Sequence, residues 1–194
     1  MLPVDLLDQK RVARQQFDDK TEELGLVHTF TFDEMWQMML SQRYRNNITE
    51  FHKSIAEQPE FFTDKEEIDR INPLKHMFAD GCYIREIFNP KGEILVTKIH
   101  KISHPYFLLE GEMSILTEKG PVRKKAPFYG VTPAGTKRVI YTHEDCRFVT
   151  VHVTDKTNLQ EIEDEVIAKD FAEVDNYYLP DEEPFKKINV LEKE

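Results

Sequence analysis

Lys98, His100 and His104 have the side-chain types and the spacing for metal or acid–base chemistry. Strand alternation puts Ile94, Val96, Lys98 and His100 on one face and Leu95, Thr97, Ile99 and Lys101 on the other, so Lys98 and His100 point the same way. His104 follows just past a turn, and Pro105 stiffens the start of the run Tyr106 to Gly111. Two imidazoles separated by a strand end and a turn can converge on one ion, because zinc, iron, nickel and manganese all accept neutral imidazole nitrogen. The same spacing also describes two independent surface or hydrogen-bonded histidines, and spacing alone favours that reading.

Other polar residues offer a second use for the same region. Arg85 and Glu86 fall on opposite faces of one strand, so at most one of them points inward. If Lys98 and Arg138 also point inward, the interior can hold a carboxylate or phosphate through charge-assisted hydrogen bonds. A small anionic or polar ligand there would meet Arg85, Tyr106 and Arg138, while Lys98, Glu86 or Arg138 would orient it or move protons. Cross-strand ion pairing, for instance Glu86 with Lys98, is the simpler expectation for these charges. Tyr83, Tyr106 and Tyr141 read as wall residues, and His28, His52, His76 and His143 as surface residues without sequence-local partners.

The elements that must position these residues fall into consecutive zones. Residues 1–80 read as a helical extension, 81–155 as a β domain, 156–172 as a packing helix and 173–194 as an acidic, partly disordered tail. In the first zone Thr31 and Asp33 cap a helix over 34–44, with Met35, Trp36, Met38 and Met39 as its packing stripe. A second helix follows over 48–56, and Thr63 with Glu66 forms a capping box for a third. Short strands then alternate with turn residues: 82–88, 94–101, 106–110, 112–118, 122–125, 128–131, 137–142 and 147–153. So many short strands with tight punctuation indicate a sandwich or jelly roll rather than a parallel α/β sheet. Thr157 with Gln160 makes the capping box of the last helix, whose Leu159, Ile162 and Val166 share a face.

Charge and motif content exclude several function classes. A formal charge of −10 repels phosphate backbones, so nucleic acid is not an expected partner, although Lys98, Lys101, Arg123, Lys124, Lys125, Lys137 and Arg138 gather in the middle. No apolar run is long enough to span a bilayer, and Asp5 and Asp8 interrupt the apolar stretch at the amino terminus, so a cytoplasmic protein without membrane contact is expected. Two cysteines, Cys82 and Cys146, are too few for a disulfide framework or a cysteine zinc site. P-loop, dinucleotide-binding, nucleophile-elbow and zincin motifs are all missing from the sequence.

The stretch GEILVTKIHKISHPYFLLEGEMSI, followed by FYGVTPAGTKRVIY, resembles the two motifs of the cupin superfamily. In that family a histidine pair, a nearby glutamate and a later histidine after a Pro-x-Gly turn build a metal site. The resemblance implies a mainly β fold, a small cupin-type jelly-roll barrel, with the helical extension, one C-terminal helix and the acidic tail as additions. His100 stands where the second histidine of the pair belongs, and His104 about where the glutamate belongs. Lys98 replaces the first histidine and Arg138 the histidine of the second motif, and both hold their protons too firmly to be good ligands. In a jelly roll the final strand shares a sheet with the strand after His104, so His152, on one face with Phe148 and Thr150, either completes a three-histidine site or stands as a buried, hydrogen-bonded core histidine. The resemblance implies a divalent ion (Fe, Zn, Mn or Ni) and an oxygenase or isomerase of unknown substrate. The alternative is a non-catalytic binding or structural module acting through protein contacts or an anionic ligand. Dimerisation through an edge strand is implied as well. The run through Ile167 is also similar to single-domain cupin-like proteins of tailed bacteriophages, which would place the chain in a host cytoplasm. A common ion requires nitrogens of His100, His104 and His152 within about 4 Å of one another.

Overall fold

A computed structural model describes residues 4–24, 31–58, 64–118 and 120–178. Two compact units divide them, the first reaching Tyr44 and the second starting at Arg45. The expectations for His28, Thr63 and residues 179–194 lie outside the described residues.

In the first unit, helix α1 (Val4–Leu24) precedes the start of helix α2 (Phe32–Ala56). Thr31 and Glu34 form a reciprocal cap: the Glu34 amide donates to the Thr31 hydroxyl, and the Thr31 amide donates to the Glu34 carboxylate at 2.8 Å. Phe32 and Trp36, one turn apart, are buried and stacked on each other, and Phe17 of α1 lies 5.6 Å from the Phe32 ring. Met35, Met38 and Met39, expected to pack, are exposed. The buried stripe is therefore narrower than the apolar composition suggested. The two helices expected over 34–56 are one, because no Gly or Pro interrupts Arg45–Asn47 and the turn there continues.

The second unit is mainly antiparallel β. Helix α3 (Lys65–Ile71) is capped by Asp64, whose carboxylate accepts from the Glu67 amide. Strand β1 (Leu74–Ala79) follows, inside the segment read as helical. It pairs along its whole length with β2 (Cys82–Asn89) through the Asp80-Gly81 turn, where Gly81 takes φ 72°. As an edge strand with five of six residues exposed it shows no alternation to read.

Strands β1, β2, β10 (Cys146–Val153), β5 (His104–Glu110) and β8 (Phe128–Thr132) lie in that order in a five-stranded sheet. Strands β3 (Ile94–Val96), β9 (Val139–Thr142), β6 (Glu112–Thr117) and β7 (Gly120–Lys125) form a four-stranded sheet. A two-residue strand β4 (Ile99–His100) pairs with β11 (Ile167–Ala168). Between β5 and β10 the chain crosses repeatedly from one large sheet to the other, which is the jelly-roll-like arrangement expected, laid out in three separate ladders among the described residues. Buried Leu108 and Cys146 from the larger sheet and Met113, Ile115 and Ile140 from the smaller one form a single cluster, so the sheets face each other across the core.

The crossing from β5 to β6 is a single residue, Gly111, at φ +85°. A Cβ there would stand 2.1 Å from the Asp145 carbonyl oxygen, so the sharp corner needs glycine on both steric and dihedral grounds.

After β10 the chain folds back. Helix α4 (Leu159–Val166) is capped by Asn158 rather than by Thr157, with its Oδ1 accepting from the Gln160 and Glu161 amides. Asn at this position offers a carbonyl oxygen at the reach the free amides require. Ile162 and Val166 pack on Tyr83 of β2, while Leu159 stays exposed. Residues 171–178 form helix α5 (Phe171–Tyr178), where an extended or disordered tail was expected to begin; Val174 packs with Ile99 and Ala168.

Candidate metal centre

His104 opens β5, and its burial follows from the strand period: His104, Tyr106 and Leu108 are buried while Pro105, Phe107 and Leu109 are exposed. His152 stands on the inner face of the neighbouring strand β10, in step with Thr150 and Cys146. The two strands are in register up to Tyr106 opposite Thr150, which leaves His104 and His152 side by side just beyond that pair. His100 arrives from β4, outside both large sheets. Its backbone pairs with Ile167, and its carbonyl accepts from the Gly135 amide at 2.8 Å, so the Pro133-Ala134-Gly135 turn holds it in place.

The three rings converge. Their centroids are 4.1 Å apart for His100 and His104, 4.5 Å for His104 and His152, and 5.4 Å for His100 and His152. One nitrogen from each ring lies within 4.8 Å of the others, a looser spacing than the expected limit of about 4 Å.

Hydrogen bonding assigns the nitrogens. His104 Nδ1 lies 3.3 Å from the Ile102 carbonyl, which can only accept, so this nitrogen donates and leaves Nε2 with its lone pair. His152 Nε2 meets the Thr150 hydroxyl at 3.1 Å, which leaves Nδ1 for another partner. His100 Nδ1 is buried with no hydrogen-bond partner among the described residues. A buried imidazole nitrogen without a partner is costly unless something absent from the polypeptide meets it.

Electrostatics keep the cluster neutral. Burial first, then the adjoining His104 and His152, push His100 down to about 2. Burial and His104 bring His152 down to about 4. His104 is lowered by burial, against the opposing pull of the Ile102 carbonyl. All three are uncharged imidazoles at neutral pH, the protonation state a metal ligand requires. The donor set, the orphaned nitrogen and the neutrality together fit a divalent ion.

Arg85 lies on the inner face of β2, opposite Thr150 and His76, and its positive charge acts on His100 and His152. Arg138 precedes β9; its charge acts on His100 and His104, and its guanidinium stands 5.7 Å from the centre of the Tyr106 ring. Buried Tyr106 stacks on Phe148 at 5.3 Å.

Two expected participants are elsewhere. The Lys98 ammonium pairs with Glu163 on α4 and is 60% exposed. The sequence treated 94–101 as a single alternating strand, but Thr97 and Lys98 lie between β3 and β4, so the alternation restarts at Ile99. Glu86 points to the outer face, where it pairs with Lys75 at 3.0 Å and Arg147 at 2.6 Å rather than with Lys98.

Other histidines have partners that sequence proximity could not reveal. His76 Nδ1 lies 2.6 Å from the Tyr83 hydroxyl, His143 Nε2 2.8 Å from the Ser114 hydroxyl and His52 Nδ1 3.0 Å from the Lys137 ammonium. The Asp80-Gly81 turn was the overlooked signal that, read as a hairpin, places His76 on the same face as Arg85 and Tyr83. Alternation put Thr150 on the face of His152, but nothing in the sequence marked the hydrogen bond between them.

No protein-family model matches the chain, and no curated protein matches it. Solved structures do. It is similar to a cupin-2 domain containing protein from Shewanella frigidimarina at 10% identity, over 54% of this chain and 92% of that one, with a TM-score of 0.37. A cupin superfamily protein from Desulfitobacterium hafniense is 16% identical over 42% of this chain and 78% of that one, with a TM-score of 0.36. A conserved protein of unknown function from Streptococcus pyogenes is 17% identical over 44% of this chain and 76% of that one, with a TM-score of 0.37. Among the described residues no helix is long and apolar enough to cross a membrane.

Proposed function

We propose that this chain binds a divalent transition-metal ion through His100, His104 and His152 and acts on a small molecule as an oxygenase or isomerase. The observation that carries the reading is the buried His100 Nδ1 without a partner, inside a cluster of three neutral imidazoles. An all-nitrogen donor set suits zinc, iron or nickel better than manganese, which favours oxygen ligands. When bound, such an ion supplies Lewis acidity and open positions for water or substrate. The chain's own part is to hold three imidazoles deprotonated, to fix the His104 tautomer through Ile102 and to orient His152 through Thr150.

Metal analysis of the full chain, purified without an affinity tag, tests this. One ion per chain is expected, lost in His100→Ala, His104→Ala and His152→Ala. Absence of binding at micromolar concentration, or binding that survives all three changes, would refute it.

A second reading, a non-catalytic module acting through protein contacts, has its own observation. Phe107, Leu109, Tyr129 and Val131 are exposed on the outer face of β5 and β8, and β8 is the edge of its sheet. A homodimer formed there would cover them. Light scattering that finds a monomer at every concentration would count against this reading.

A further inference from the structure

Three neutral imidazoles bring no charge to the centre, and the charged side chains acting on them are cationic. Arg85 acts on His100 and His152, and Arg138 on His100 and His104. Among the described residues no carboxylate belongs to the cluster to offset an incoming dication. An ion entering this site therefore meets like charge.

Arg85 has the stronger need for a counter-charge. It sits on the inner face of β2 directly across from Thr150, the residue whose hydroxyl meets His152. Among the described residues its guanidinium makes no hydrogen bond and no ion pair. The acids that act on it from nearby elements are committed elsewhere: Asp69 to Lys65 and Glu163 to Lys98. Burial of the group pulls its pKa below the ordinary guanidinium range. Arg85 is half-buried and none of its nitrogens is among the fully buried atoms left without a partner, so an anion would replace what water it still meets with two charge-assisted hydrogen bonds.

The surroundings select the kind of anion. One edge of a guanidinium matches one carboxylate with two parallel N–H donors. A phosphate would leave further oxygens needing donors. The hydroxyls on the same face are already engaged, that of Tyr83 with His76 and that of Thr150 with His152.

We propose that Arg85 anchors a small carboxylate beside the histidine cluster, and that the carboxylate and the divalent ion bind cooperatively, each supplying the charge the other lacks. The cooperative half rests on the metal reading above; the anchoring half does not. Coupling between two such ligands is reciprocal, so the ion must tighten carboxylate binding by the same factor.

The test uses the full chain with Co(II), titrated against a competing chelator in the presence and absence of millimolar acetate, with inorganic phosphate as a parallel arm. For the native protein, acetate raises Co(II) affinity at least about fivefold and phosphate does not. In Arg85→Gln the acetate effect disappears while Co(II) alone binds at least as tightly as before. Arg85→Lys, which keeps the charge but loses the fork, retains Co(II) binding with a reduced acetate effect and guards against a misfolded glutamine variant. An acetate effect that is missing in the native protein, or undiminished in both variants, overturns the proposal. So does a phosphate effect without an acetate effect. If Co(II) fails to bind under every condition, the metal reading and the cooperativity fall together. The anchor then stands only if acetate raises the melting temperature of the ion-free native protein and not that of Arg85→Gln.

Discussion

His104 and His152 face each other just past the point where their strands stop pairing: the β5–β10 register ends at Tyr106 opposite Thr150, and the two rings stand 4.5 Å apart beyond it. Each strand is still held on its other side, His104 opposite Thr132 of β8 and His152 opposite Tyr83 of β2. The rings can close on an ion without breaking a ladder hydrogen bond between them.

Thr150→Val removes the hydroxyl that meets His152 Nε2 and keeps the side-chain shape. Ion affinity is expected to fall by about 10- to 100-fold, the usual cost of losing a group that orients a ligand. Stability should change by only about 1 kcal/mol. Unchanged affinity in a competition titration would show that the hydroxyl has no part in orienting the ring.

Lys98→Ala and Glu86→Ala should leave ion affinity within about twofold of the native value. Lys98 is exposed and paired to Glu163, and Glu86 lies on the outer face with Lys75 and Arg147. A clear loss of binding in either variant would return that residue to the centre.

Ion-free protein should lose stability as pH falls from neutrality. Burial and its neighbours hold His152 at about 4 and His100 at about 2, against 6.5 for an ordinary histidine. Below pH 6.5 the unfolded chain takes up protons that the folded chain refuses. The contribution is therefore complete above that pH and drains away toward pH 4 for His152, and further for His100. The slope is up to about 1.4 kcal/mol per pH unit for each histidine. Urea midpoints measured between pH 7.5 and 5 should drop, and less so in His152→Gln. A flat profile would contradict the buried neutral state.

Gly111→Ala and Gly92→Ala separate steric from dihedral strain. Both positions have φ near +85°, but a Cβ at Gly92 meets nothing within 4 Å, whereas at Gly111 it would collide with the Asp145 backbone. Gly92→Ala should cost about 1 kcal/mol and Gly111→Ala considerably more, about 3 kcal/mol or loss of folding. Equal melting temperatures would mean that the corner relaxes freely.

The strands around the centre were readable because turn chemistry brackets them: Ser103-His104-Pro105 and Pro133-Ala134-Gly135 delimit segments whose inward residues then follow from a period of two. His152 obeys that period and could be assigned a face, whereas His104, expected in the turn before a strand over 106–110, opens β5 itself. His100 also reached the expected place, but by a route the alternation misdescribed, since the strand breaks at Thr97 and Lys98 and resumes in a different ladder. That break is why Lys98 was placed in the interior and lies outside. The contact of Glu86 with Arg147, far apart in sequence, left no local trace, and the pair His76 with Tyr83 was hidden with the hairpin that joins them; alternation put Thr150 on the face of His152, two residues on, but not the hydrogen bond between them. Strand β1 was hidden because an exposed edge needs no alternating pattern.

The backbone of His100 is paired to Ile167, a residue that follows every strand of the two large sheets. During synthesis, a nascent chain that has emerged only as far as β10 carries His104 and His152 in place but lacks the partner strand of the third histidine. Completion of the centre thus waits on a segment made after every one of those strands.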